Sequence, residues 1–274
     1  MRVIAALLLD MDGVLSQGDR PLPGAARLLA TIQEIPHCFV TNNSVLPPQA
    51  VAERLASMGL ARPRSRQIIT SAEAASRWLA RQKPGFRYYA VGAPGLDLAL
   101  RRVGVADSER ADFVVVGEGP GLDYASLTTG INLLEQGARL VGTNPDVNVD
   151  TVEQGRHRIL PGGGALLAPF ALASGVEPVV IGKPNPLLFE MALEVLGSSP
   201  SDCLMVGDRP DTDIAGAAAL GLGTALVRTG RFAPGEPWPA ELPRPDWDVH
   251  DLDELLAAIS PLLPARGART PTGR

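Results

Sequence analysis

Cysteine, histidine and concentrated positive charge are all scarce in this sequence, and each scarcity removes a class of protein. Only two cysteines occur in 274 residues, Cys38 and Cys203, and each sits inside an apolar run. Neither a disulfide nor a reactive thiol is expected, and both read as reduced core-strand residues. The three histidines, His37, His157 and His250, show no pairing or metal-ligand spacing and read as core or surface residues. The net charge is −5, and the one basic cluster is the final stretch, 266–274, so nothing suggests a nucleic-acid partner. Long apolar runs are missing too. Residues 1–9 are apolar but brief, and they lead straight into Asp10 and Asp12, unlike a signal peptide or a membrane span. A cytoplasmic protein with no membrane contact is the expectation. No repeat of fixed period and no low-complexity segment occurs. The run Pro161-Gly162-Gly163-Gly164 lacks dinucleotide-binding GxGxxG spacing and reads as a hinge or turn.

What is present is ordinary globular composition, 45% apolar, arranged as short apolar runs alternating with helix-like segments. Strands are expected near 3–10, 37–41, 68–69, 86–91, 113–116, 139–141, 179–181, 203–206 and 224–227. Helices are expected over 25–35, from Pro48 to a stop at Gly59, over 124–136, and after Lys183. That last helix has Asn185 to cap it, Pro186 in its first turn and Gly197 to end it. The alternation predicts an α/β fold with a Rossmann-like parallel sheet. The segment 74–174 carries its own strands and helices, so it reads as an α/β unit inserted into a discontinuous core, 1–73 with 175–262. Residues 263–274 lack apolar periodicity and read as a disordered tail.

Four segments could carry chemistry, and all follow apolar strands expected to lie in one sheet, where open α/β sheets bind ligands. In Leu9-Asp10-Met11-Asp12-Gly13, two carboxylates two residues apart end a strand, where they are costly without a cation or hydrogen bonds. In Thr41-Asn42-Asn43-Ser44, a hydroxyl, amides and backbone N–H groups before a helix suit phosphate oxygens, although an Asn/Ser turn and cap explains them equally well. In Gly182-Lys183-Pro184, one lysine can place a positive charge among the carboxylates. In Gly207-Asp208-Arg209-Pro210-Asp211-Thr212-Asp213, three acids in six residues suit a hard cation or, alternatively, a helix N-terminus.

Together these segments resemble the four motifs of the haloacid-dehalogenase-like phosphatases. The inserted unit is similar to the cap of the subfamily that includes 4-nitrophenylphosphatases, NagD, phosphoglycolate phosphatase and pyridoxal phosphatase. Gly142-Thr143-Asn144-Pro145-Asp146 and Pro161-Gly162-Gly163-Gly164-Ala165-Leu166 match cap segments as well. The resemblance implies that Asp10 is a nucleophile and Mg²⁺ ligand. Asp12 is then general acid and base, its backbone carbonyl also on the metal, and Asp208 is a further ligand. It implies that Thr41, Asn42, Asn43 and Lys183 bind the phosphoryl group and that Asp213 orients the metal's waters. The implied partner is a small phosphorylated metabolite, and such caps often pair, so a homodimer is possible. Two cap segments depart from the usual forms: Val116-Gly117-Glu118-Gly119-Pro120, and Asp150, near where a proline is common. The alternatives are a phosphotransferase or mutase of the same fold, a non-catalytic phosphometabolite-binding protein, or a phospho-switch. Receiver-type switches are half this length, and the gap from Asp12 to Thr41 is too short for a mutase cap.

Overall fold

A computed structural model of the chain describes residues 3–153 and 156–264. The tail expected at 263–274 falls outside the described residues from 265 onward. The chain gathers into two compact units. One comprises the residues up to Val40, Ala52–Ile68 and those from Phe189 on; the other comprises Thr41–Val51 and Ile69–Leu188.

In the first unit the strand Ala6–Leu9 is buried at every position, which an apolar run achieves only when both faces of its sheet are covered. It runs parallel to Cys203–Gly207 on one side, with Leu7 opposite Leu204, and to His37–Thr41 on the other, with Leu7 opposite His37. Gly223–Val227 and Trp247–Val249 extend the sheet in parallel beyond Cys203–Gly207, and Ile68–Thr70 flanks His37–Thr41, making six strands. The chain therefore leaves Ala6–Leu9 toward one edge and later adds strands toward the other. That is a topological switch point, and the crevice at such a point lies at the carboxyl ends of the strands that flank it. Asp10 and Asp208 directly follow the two strands concerned.

The second unit holds a five-stranded parallel sheet in the order Val179–Val180, Arg139–Gly142, Phe113–Val116, Arg87–Val91, Val105–Ala106. The helices Tyr124–Glu135 and Gly163–Ser174 cover it, joined to the sheet through Val114, Val116, Leu133, Leu140, Leu167 and Phe170. Gly130 lets the helices meet closely, because a Cβ there would collide with the Phe170 ring.

One expectation needs correction. The strand before Lys183 was expected in the same sheet as the strands before Asp10, Thr41 and Asp208. Instead Val179 and Val180 pair with Val141 and Gly142, at the edge of the five-stranded sheet. A two-residue apolar run carries no period that distinguishes one sheet from another. Smaller differences are local. The first helix is Ala25–Thr31, shorter than 25–35, because Ile32 already leaves helical geometry and Pro36 biases Ile35 away from it, although Ile32 and Ile35 stay buried. The strand Trp247–Val249 and the hairpins Ser16–Gln17/Arg20–Pro21 and Asn148–Glu153/Arg156–Pro161 were not expected. His157 lies on the second hairpin and pairs with Asp150 at 2.7 Å, a surface contact between side chains 57% and 27% exposed.

Cys38 and Cys203 are free and buried, as their apolar surroundings require, and burial pushes the Cys38 thiol up to about 12. Among the described residues no helix is long and apolar enough to cross a membrane. Phe170 is fully buried at the centre of the second unit's core. Phe170→Ala is expected to destabilise the protein by about 3–5 kcal/mol, read from urea unfolding. A loss below about 1 kcal/mol would mean that this core is not packed as described.

Candidate active site

The first unit's site begins with three acids. Asp10, Asp208 and Asp213 each offer a carboxylate oxygen, and these oxygens lie within 4.8 Å of one another. All three residues are buried, at 7%, 2% and 0% exposure, so their mutual repulsion is not relieved by bulk water. Their backbones are fixed by the fold. The Asp10 N–H donates to Val206 C=O at 2.9 Å, continuing the pairing of the two central strands by one residue. Asp213 lies in the short π-helix Pro210–Ile214, and its Oδ2 accepts the N–H groups of Asp208 at 3.2 Å and Arg209 at 3.1 Å. The fold is possible because Gly207 has no side chain; a Cβ there would strike the Asp213 carboxylate. Asp208 Oδ2 accepts the Arg231 N–H at 2.8 Å. Hydrogen bonds to the charged form are what permit carboxylates at such positions, and they fix which oxygens point inward.

Two glycines make room for this arrangement. A Cβ on Gly13 or on Gly230 would collide with Asp208 Oδ2, and Gly13 also adopts φ 84°, which disfavours any other residue. Thr229 Oγ1 donates to Gly13 C=O at 2.7 Å, tying the loop after Gly223–Val227 to the turn after Ala6–Leu9. The donor set is entirely anionic oxygen, which suits a hard divalent cation and not a soft one.

Asp12 stands apart from the acid trio. The strand ends at Leu9, Met11 C=O accepts the N–H groups of Leu15 and Ser16, and Asp12 lies beyond the strand in an isolated bridge to Ser16, so the alternation of that strand does not set its direction. Its side chain is 40% exposed and lies 3.9 Å from Arg54 Nη2. Arg54 also donates to Gly18 C=O at 2.6 Å and Asp19 Oδ1 at 3.3 Å, holding the small hairpin beside it. At that exposure the Asp12–Arg54 pair adds little stability. Beyond Asp208, burial pushes the Asp211 carboxyl up, but hydrogen bonds and charge from Arg209 outweigh it and hold the group below the usual range.

The second unit gathers the other expected residues. Thr41, Asn42 and Lys183 are buried at 4%, 9% and 2% exposure. Thr41 Oγ1 accepts the Asn43 N–H at 3.1 Å, and Asn43 Oδ1 accepts the Val45 N–H at 2.9 Å, so the segment is locked as a side-chain-closed turn. Asn42 reaches across to Lys183: its Oδ1 accepts the Lys183 N–H at 2.7 Å and its Nδ2 donates to the Lys183 C=O at 3.2 Å. The glycines after Pro161 turn out to be packing devices. Gly162 and Gly164 abut the main chain of Asp146 and Pro145, where a Cβ would collide.

The structure thus brings Asp10, Asp208 and Asp213 together in one unit, and Thr41, Asn42, Asn43 and Lys183 in the other. Sequence reasoning missed Thr229, Gly230 and Arg231, which support Asp208 and Gly13. They lie just beyond the apolar strand Gly223–Val227, after Arg228, so a search of the residues that follow each strand reaches them.

Known proteins resemble this chain along most of its length. The haloacid dehalogenase-like hydrolase family model matches residues 7–106, and a second HAD-like hydrolase model matches 180–255. The acid sugar phosphatase of Staphylococcus saprophyticus is 36% identical over 263 residues, which is 94% of this chain and 99% of that protein. Among solved structures, 4-nitrophenylphosphatase from Thermotoga maritima superposes with a TM-score of 0.85 at 32% identity, covering 93% of this chain and 97% of that one. NagD from Escherichia coli K-12 gives 0.79 at 30% identity, covering 93% and 98%.

Gly230→Ala tests the acid cluster without touching an acid. The added methyl is expected to displace Asp208, break its bond to Arg231 and weaken divalent-cation binding by roughly 10- to 100-fold in calorimetric titration. Unchanged binding would separate this loop from the site.

Proposed function

The chain belongs to the haloacid dehalogenase-like hydrolases and is a phosphoric monoester hydrolase, and we propose that it cleaves small-molecule phosphomonoesters through a phosphorylated Asp10. The observation that carries this reading is the cluster of Asp10, Asp208 and Asp213, three buried carboxylates within 4.8 Å, two directly after central strands and one from the helical turn Pro210–Ile214. Such a cluster is costly as bare anions and fits a hard cation.

In the proposed reaction Asp10 attacks phosphorus, the bond from phosphorus to the ester oxygen breaks, and Asp12 gives its proton to the departing alkoxide. Asp12 then takes a proton from water, whose oxygen attacks the phosphorus of the acyl phosphate and releases inorganic phosphate, restoring Asp10. Lys183 neutralises charge on the phosphoryl oxygens, with Thr41, Asn42 and Asn43 completing their binding. Mg²⁺ would be held by Asp10, Asp208 and the backbone carbonyl of Asp12, with Asp213 orienting its waters, and when bound it lowers the repulsion between an anionic nucleophile and an anionic ester. The exposure of Asp12 suits a group that must exchange protons with substrate and water in turn.

We assign the chemistry to segments 1–73 and 175–262 and substrate choice to the inserted segment 74–174. Sugar phosphates and 4-nitrophenyl phosphate, named for the relatives, are the first substrates to assay. A cytoplasmic protein is part of the same reading, supported by two free, buried thiols. So is a homodimer, supported by Val147 and Ile159, which are 69% and 62% exposed beside the Asn148–Glu153/Arg156–Pro161 hairpin. Light scattering at the mass of a single chain would remove the dimer.

The decisive assay is metal-dependent phosphate release beyond one equivalent. Asp10→Asn is expected to abolish turnover. Asp12→Ala is expected to slow it by roughly 10²- to 10⁴-fold, the usual worth of general acid–base help. Acid-stable label transferred from ³²P-substrate to a residue other than Asp10, or an Asp10→Asn enzyme as active as the wild type, would defeat the assignment.

A further inference from the structure

Behind the phosphate-binding residues of the second unit lies a buried polar chain to which the proposed reaction gives no role. The Asn42 side chain is occupied on both atoms by the Lys183 main chain, and its Nδ2 also donates to Asp146 Oδ2 at 3.1 Å. The amide therefore acts as a short piece of strand, holding Lys183 at its N–H and its C=O together. Asn42 is held in turn. Its own C=O accepts Asn144 Nδ2 at 2.8 Å and Ser71 Oγ at 2.6 Å. Asn144 Nδ2 donates again to Glu118 Oε1 at 2.9 Å, and Asn144 Oδ1 accepts the Asp146 N–H at 3.0 Å. The Glu118 N–H donates to Ser44 Oγ at 3.0 Å, returning the chain to the segment it started from. Asn144 and Ser44 are wholly buried. Gly163 leaves the space that Asn144 fills; a Cβ there would lie 2.8 Å from its Oδ1.

We infer that Asn144, braced by Glu118, is a positioning residue that orients Asn42 and through it the main chain of Lys183. The inference rests on the function proposed above. Lysine carries its charge on a flexible four-carbon stem, so the accuracy of the ammonium depends on how firmly its main chain is held. Asn144 spends both amide hydrogens and an oxygen lone pair at once, so it cannot rotate without breaking three bonds. A carboxylate behind an amide polarises the next hydrogen bond in the chain. Asparagine is required because aspartate offers no donor and a hydrophobe offers neither donor nor acceptor.

Asn144→Asp keeps the size and sets an oxygen against both the Asn42 carbonyl and the Glu118 carboxylate. It is expected to lower kcat for 4-nitrophenyl phosphate by roughly 10²-fold, the scale of a misplacement near 1 Å, and to weaken inhibition by inorganic phosphate. Amide exchange at Lys183 is expected to accelerate, whereas Mg²⁺ affinity, set by acids of the other unit, stays at the wild-type value. Thr143→Val is the neighbouring control, since the buried Thr143 hydroxyl has no hydrogen-bond partner among the described residues, and its kcat is expected to match wild type. If Asn144→Asp fails to fold, Glu118→Met removes the brace more gently and is expected to act in the same direction, with Glu118→Gln, which keeps an acceptor, recovering most of the loss. Wild-type kcat and phosphate inhibition in Asn144→Asp, or equal losses in Asn144→Asp and Thr143→Val, would overturn the positioning role. Should the wild-type enzyme release no phosphate from any ester, the proposed function fails instead, and Lys183 exchange still reads the relay by itself.

Discussion

Three carboxylates packed within 4.8 Å of one another and withdrawn from solvent set the terms for the rest of the first unit. Like charges at that spacing repel, and burial deepens the repulsion by removing the solvent that screens it. A fold can keep them there only by surrounding them with donors and leaving room for a cation. The switch point of the parallel sheet supplies the geometry, because two adjacent strands end at the same level and each releases its next residue into the same space. The main chain supplies the donors, as the N–H groups of Asp208, Arg209 and Arg231 all serve carboxylate oxygens. The glycines Gly13, Gly207 and Gly230 supply the room, each standing where a methyl would strike an acid of the cluster.

The second unit solves a different problem with the same economy of means. Its functional segment is built mainly of neutral groups, and it is held by side chains that imitate main chain. Asn42 pairs with Lys183 as a strand would, Thr41 and Asn43 close their own turn, and Asn144 joins the ends of separate strands to both. Amides suit this work because each carries donors and an acceptor in one rigid plane. The helix Gly163–Ser174 begins with glycines so that its first turn can lie against Asn144, Pro145 and Asp146. A turn-like glycine run in the sequence thus proves to be a packing surface.

Much of this was legible in the sequence, for identifiable reasons. Strands buried on both faces are written as unbroken apolar runs, so His37–Thr41 and Phe113–Val116 were placed to the residue. Helix ends marked by a side-chain cap were equally clear: Asn185 Oδ1 does accept the Leu187 N–H, at 3.1 Å. The acids were found because polar residues directly after such strands have few structural explanations. What escaped was tertiary. Nothing local to Val179 and Val180 says which sheet they join, since a parallel partner is chosen by distant chain. The turn at Thr229–Arg231 escaped because hydroxyl, glycine and backbone N–H are too common to stand out until Asp208 is seen resting on them. The role of Asn144 was hidden in the same way, because an asparagine after a strand is ordinarily a turn former, and only its three partners distinguish it.

The two units also differ in how they can achieve accuracy, and the difference explains their composition. A bound cation draws carboxylates toward itself, so small errors in the positions of Asp10, Asp208 and Asp213 are corrected by the ion that they would hold. An ammonium on a long side chain receives no such correction. Part of its accuracy can be built in advance through the peptide on either side of its Cα. Lys183 has both of its main-chain groups bonded to one planar amide, and that amide's residue is bonded to a second. The acids therefore sit in a glycine-lined space on main-chain donors, whereas the lysine sits behind a chain of side-chain hydrogen bonds.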